Sequence, residues 1–207
     1  MASALEVLLV YAGVLLYIWR WQFSRPRLWM ALLAVMVLSH LARGERPRDL
    51  GLAVSGLRAN AEQILPLVLA LYLPLVVYGF ARHLLVPLVP GKQSLVWFTA
   101  YLCWCAVQQY LAQSYFHRRL MIVIDNPHRR SLVVGLMFGA THVPNPILMA
   151  VTTVAGIVFA EVFARHRNIW PLALAQAVGG FLVAAISPPS LIHNMRVGPG
   201  YYFYGVR

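Results

Sequence analysis

The sequence predicts an all-α integral membrane protein of about seven transmembrane helices (six to eight) packed in one bundle. Three observations predict it. Of 207 residues, 60% are hydrophobic and 11% charged, against roughly 45–50% and ~25% in an ordinary soluble domain. The mean hydropathy is +0.68. The apolar residues fall in long blocks separated by arginine-rich punctuation, the pattern of a chain that crosses a bilayer repeatedly. A soluble enzyme and a disordered chain are both excluded, since each needs more charge and less Leu, Val and Ala.

Ala4–Trp19 is the first span, with Trp19, Trp21 and Phe23 at headgroup level. The N-terminus lacks a positive leader, so this block is expected to be a retained anchor rather than a cleaved signal. Leu28–Leu41 is a short second span, ended by Gly44 and the charged turn Glu45-Arg46-Pro47-Arg48-Asp49. Leu50–Gln63 is too polar to span and reads as an interfacial helix or lead-in. Ile64–Ala81 is a third span, which Pro66 and Pro74 are expected to kink or break. Pro87, Pro90 and Gly91 form a turn, and Ser94–His117 is a long fourth helix. Asp125-Asn126-Pro127-His128 is a loop and Ser131–His142 a fifth helix, stopped by Val143-Pro144-Asn145-Pro146. Ile147–Phe163 and Trp170–Ile186 complete the set, followed by a tail rich in tyrosine. Residues 1–48 form N-terminal spans, 49–186 the core and 187–207 an aromatic and basic interfacial tail.

The formal net charge is +11, and its arginines lie mainly between apolar blocks. That placement suits anionic lipid headgroups as partners and excludes a nucleic-acid face. Alternating the loops puts ten Lys and Arg at the end that holds the N-terminus and seven at the other, a small margin for placing the N-terminus inside. The expected location is a bacterial-type inner membrane or plasma membrane. Cys103 and Cys105 are two residues apart on a helix, so they face different ways and read as small hydrophobes.

Polar groups at bilayer depth are expensive and therefore candidates for function. The fourth helix carries Gln108, Gln109, Gln113 and His117, the fifth Phe138 and His142, the sixth Thr152, Thr153 and Glu161, and the seventh Gln176, Gly179 and Gly180. These groups either converge on an interior cavity or bridge helices by hydrogen bonds worth ~1 kcal/mol each. Glu161 is a possible base, or else a partner for Arg165 one turn later. His142 is a candidate ligand-contacting group or a helix cap. The remaining histidines, at span ends and in loops, are expected to be mostly interfacial.

Phe138-Gly-Ala-Thr-His142 followed by Pro144-Asn145-Pro146, the segment from Glu161 through Trp170-Pro171 to Gln176, and Asp49-Leu-Gly-Leu52 together resemble the CAAX protease and bacteriocin-processing (CPBP, or Abi) intramembrane proteases. The resemblance covers about residues 49–185. It implies a helical membrane core and an intramembrane endopeptidase acting on a transmembrane or prenylated protein. In that family a Glu-Glu-x-x-x-Arg motif activates water, histidines assist, and a His-x-x-x-Asn/Asp motif stabilises the oxyanion.

Here the glutamate pair falls on Gln108 and Gln109, the arginine on Gln113, the second histidine on Gln176 and the last position on Gly180, while Phe138 and His142 match outright. By this carry-over His142, Gln108, Gln109 and Gln176 hold the catalytic positions, with Gln113, Phe138, Asn145, Glu161 and Gly180 around the bound molecule. An amide has no useful basicity, and general-base help is worth ~10²–10⁴-fold. Zinc needs three or four ligands, and only His142 is at hand, so no metal or other cofactor is expected. Three functions stay open: a protease with a rebuilt site, a non-catalytic binder of a membrane segment, prenyl chain or lipid-like molecule, and an enzyme acting on an isoprenoid or lipid.

Overall fold

The computed structural model describes residues 2–84 and 92–203. The turn expected at Pro87, Pro90 and Gly91, and Tyr204 of the tail, lie outside them. The described residues are helical, with no strand among them. Helix α1 (Ala2–Leu16) continues into a π-helical turn over Tyr17–Trp21. Then come α2 (Leu28–Ala42), α3 (Leu57–Ala81) and α4 (Lys92–Gln109), the last prolonged by a π-helical segment Tyr110–His117 and a final turn Arg118–Leu120. Helices α5 (Pro127–Ala140), α6 (Pro146–Arg165) and α7 (Trp170–Ile186) follow, with short α8 (Pro189–Ile192) and α9 (Pro199–Tyr202) in the tail. Three stretches, Ser3–Trp21, Leu57–Ala81 and Pro146–Arg165, are long and apolar enough to cross a membrane, and Leu28–Ala42 and Trp170–Ile186 are shorter apolar helices.

Two elements depart from the sequence reading. Helix α3 starts at Leu57 and runs through Pro66 and Pro74 unbroken, because the polar residues assigned to a separate lead-in form its first turns. The loop at 125–128 is shorter than expected, since Pro127 opens α5 and Asn126 caps it by accepting from the Arg129 N–H at 3.0 Å. The tail expected at the interface runs back over the bundle as a strap. The Gly198 N–H donates to the Val143 carbonyl at 2.8 Å, and Gln22 Nε2 donates to the Val197 carbonyl at 3.2 Å.

The seven principal helices alternate in direction, so their termini gather at two ends. Near one end the Asp49-Leu50-Gly51-Leu52 turn is clamped to the core. The Gly51 carbonyl accepts from the Ile169 N–H at 3.0 Å, the Leu50 carbonyl from Ser114 Oγ at 2.6 Å, and the Leu52 carbonyl from Trp170 Nε1 at 3.0 Å. Gly51 has φ +72°, and a Cβ there would come within 2.7 Å of the Phe163 ring, so both its backbone and its neighbours require glycine. That turn seats α7 against the rest of the core.

The most extensive helix pairing joins α5 and α6. Gly135 and Gly156 face each other across it, and a Cβ on Gly156 would meet Gly135 Cα at 2.9 Å. Small residues at such a crossing let backbones approach where lipid removes the hydrophobic drive. One apolar core joins Val14 and Met36 of the N-terminal helices to Tyr115, Phe116 and Val134. A second joins Ile64 of α3 to Phe159, Phe163 and Leu172. The polar groups discussed next lie between these two cores.

Candidate functional site

Gln109 donates from Nε2 to Gln176 Oε1 at 2.7 Å, and Gln176 donates from its own Nε2 to Gln108 Oε1. These bonds tie α4 to α7 and run in one direction. The Gln108 amide nitrogen, at the end of the chain, has no protein partner among the described residues. Bridging helices and presenting a polar group are therefore done by the same three side chains.

His142 stands in the turn that ends α5. Its Nδ1 is 2.8 Å from the Phe138 carbonyl and 3.2 Å from the Thr141 and Thr152 hydroxyls. Both hydroxyls already donate elsewhere, Thr141 to the Phe138 carbonyl and Thr152 to the Leu148 carbonyl. A ring nitrogen facing a carbonyl has to be the donor, so Nδ1 carries the proton and Nε2 the lone pair. Nε2 has no protein partner among the described residues. The imidazole thus caps a helix with one nitrogen and keeps the other available. The Phe138 ring meets it edge-on, with centroids 5.2 Å apart.

Two apolar chambers adjoin these groups. The smaller, about 230 Å³, lies among α1, α2, α4 and α5, and is lined by Tyr11, Leu32, Met36 and Leu111 among others. The larger, about 490 Å³, lies among α3, α4, α6 and α7, and includes Tyr72, Phe159, Gln176, Gly179 and Gly180. Trp104, Gln108, Phe138, His142 and Val197 line both, and so form a waist between them. Glycine at 180 makes room for an aromatic wall, since a Cβ there would lie 2.9 Å from Tyr101 Cζ.

Three expected site residues are elsewhere. Gln113 is fully buried in the π-helical segment, lines neither chamber, and has no partner for either amide atom. The π winding turns it off the α-helical face that its spacing from Gln109 implied. Asn145 is structural. Its Oδ1 accepts from the Leu148 N–H at 3.2 Å, and its Nδ2 donates to the Ile192 carbonyl at 2.7 Å. Glu161 lies nine residues beyond Thr152 on α6, about 13 Å further along the axis. It meets His128 at 2.9 Å and pairs with Arg165 one turn later at 4.0 Å, as one of the two sequence readings had it, and is no base at the waist.

A second polar cluster was not anticipated. Arg119 is fully buried, and its guanidinium bonds Glu6 at 3.2 Å, Glu45 at 2.9 and 3.0 Å, and Ser39 at 3.1 Å. His40 and Arg118 complete the shell around Glu45. Burial pushes the Glu45 carboxyl up, but the hydrogen bonds from Arg119, His40 and Arg118 outweigh it and hold the group down at about 2. His40 and His117 are both buried rather than interfacial. A glutamate inside an apolar first span was the available signal, but its partner lies more than a hundred residues away. Among the described residues no group of three His, Cys, Asp or Glu is placed to hold a metal ion.

Residues 90–182 match the family model described as Rce1-like, type II CAAX prenyl endopeptidase Rce1-like. That segment is similar to the Rce1-like family. The match takes in α4 to α7, and with them Gln108, Gln109, Phe138, His142 and Gln176. Comparison with curated proteins and with solved structures finds no match. The matched segment and the apolar helices are those of a helical membrane protein similar in its second half to the Rce1-like family. Helices α1 and α2, which wall the smaller chamber, lie outside the matched segment.

Proposed function

We propose that this multi-pass membrane protein binds a membrane-embedded, lipid-like or prenyl-bearing molecule at the waist between its two chambers, without hydrolysing peptide bonds. The observation that carries the reading is the neutrality of the waist. No carboxylate lines either chamber, and the positions that the resemblance assigns to water-activating acids hold amides already bonded to one another. Without a carboxylate, attack by water loses ~10²–10⁴-fold of assistance. What remains are groups that orient: one amide donor on Gln108 and one imidazole acceptor on His142. On this reading seven helices cross a bacterial-type inner or plasma membrane. Residues 1–48 add to a 49–186 core, and 187–207 close it.

The free lone pair on His142 Nε2 favours one competing reading, residual proteolysis with the imidazole as base. The test compares new protein N-termini in membranes of cells expressing wild type or His142→Ala at matched levels. Binding without hydrolysis predicts no difference in termini, together with a hydrophobic molecule that co-purifies with wild type and is depleted from the variant by mass spectrometry. Termini that appear only with the wild type would overturn it.

A further inference from the structure

Resting on that binding reading, we infer that the molecule bound is an amide-linked amphiphile with two apolar arms, the amide seated at the waist, the shorter arm in the chamber walled by α1 and α2 and the longer arm in the other.

The waist supplies the first argument. Gln108 spends its oxygen on Gln176 and keeps its N–H donors, whereas His142 spends its N–H on Phe138 and keeps an acceptor. Both residues line both chambers. A secondary amide offers the complement of that pair, a carbonyl to accept from Gln108 and an N–H to donate to His142. An ester lacks the N–H, a carboxylate brings a charge that no cation at the waist balances, and a hydrocarbon leaves both protein groups desolvated and unpaired.

The chambers supply the second argument. Each is walled by apolar and aromatic side chains, and they open from opposite sides of Gln108, Phe138 and His142. A dry cavity of about 150 Å³ suffices for benzene. The 230 Å³ chamber then takes a short arm, and the 490 Å³ chamber a long or branched one. A transmembrane helix is a poor occupant. One turn, ~10 Å across and 5.4 Å long, sweeps about 420 Å³, which nearly fills the larger chamber and exceeds the smaller, and its backbone amides are already paired along the helix. The short-arm chamber is closed on one side by α1 and α2, which lie outside the segment matched by the Rce1-like model.

The test uses the full chain in nanodiscs and tryptophan fluorescence, since Trp104 sits at the waist and Trp29 in the smaller chamber. The probes are N-octyl hexadecanamide, its ester octyl hexadecanoate, and the one-armed N-methyl hexadecanamide. The two-armed amide is expected to bind about tenfold or more tighter than the ester, the order of one discriminating hydrogen bond to a buried site. His142→Phe erases that preference. Leu33→Trp, which fills the smaller chamber, weakens the two-armed amide at least tenfold while N-methyl hexadecanamide still binds, which also shows that the variant is folded. Equal binding of amide and ester overturns the amide assignment. Two-armed and one-armed probes unaffected by Leu33→Trp overturn the two-arm assignment while cavity binding stands. Failure of every probe to bind wild type overturns the binding reading itself.

Discussion

Arg119 is the largest fully buried side chain among the described residues. It is buried with two carboxylates around it. Arg119→Met would leave Glu6 and Glu45 without their shared cation, a loss of about 3–5 kcal/mol, to be read as a lowered denaturation midpoint in detergent. Glu45 also sets an acid limit. Its folded value of about 2 lies below the ordinary 4.5, so the stability it contributes is complete above that ordinary value and drains away as pH falls towards 2. Thermal unfolding scanned from pH 6 to 2 should show this decline in wild type and a flatter profile in Glu45→Gln. Beside the waist, Gln109→Leu removes the donor to Gln176 and leaves a half-buried amide oxygen unpaired. The expected cost is about 1–3 kcal/mol in the same denaturation assay. His142 was legible from sequence because one motif carried it. The Arg119 cluster was not, because its members come from three distant segments and only tertiary contact makes them a unit.

Among the elements, α5 and α6 set the geometry that His142 depends on, for Thr152 of α6 meets the ring that α5 ends on. The crossing at Gly135 and Gly156 has no room for a side chain. Gly156→Leu should therefore push the helices apart at a cost of roughly 1–3 kcal/mol, visible as a lower midpoint and weaker probe binding together. Helix α7 was legible to the residue, since Trp170-Pro171 opens it and Ser187-Pro188 closes it. The π-helical stretch Tyr110–His117 was not. Spacing alone assumes α-helical winding, and nothing in the local composition announces an altered register. That is why Gln109 and Gln176 meet as the spacing suggested, whereas Gln113 turns away.

The whole molecule is electrically lopsided. All six acidic residues, Glu6, Glu45, Asp49, Glu62, Asp125 and Glu161, gather at the end where α2 and α6 finish. Among the described residues the opposite end has Arg20, Arg25, Arg27, Arg82 and Arg196 with no acid beside them. The bundle class was readable from hydropathy, but this separation needed the helix directions. Among the described residues Lys and Arg still favour the acid-bearing end ten to six, and it is their count rather than net charge that governs orientation. A cysteine at Ser55 is expected to react with an impermeant maleimide from the cytoplasmic side and one at Ser24 from the other. The reverse result would invert the topology.

The tail strap has a kinetic meaning. Met195 and Val197 form part of the cavity wall, and the strap is pinned by Gly198 to Val143 and by Asn145 to the Ile192 carbonyl. On the binding reading, the molecule is expected to reach His142 from the hydrocarbon, leaving those bonds intact. Exchange should therefore slow when the acyl chains of the surrounding lipid freeze, and it should be indifferent to how much of the molecule dissolves in the aqueous phase.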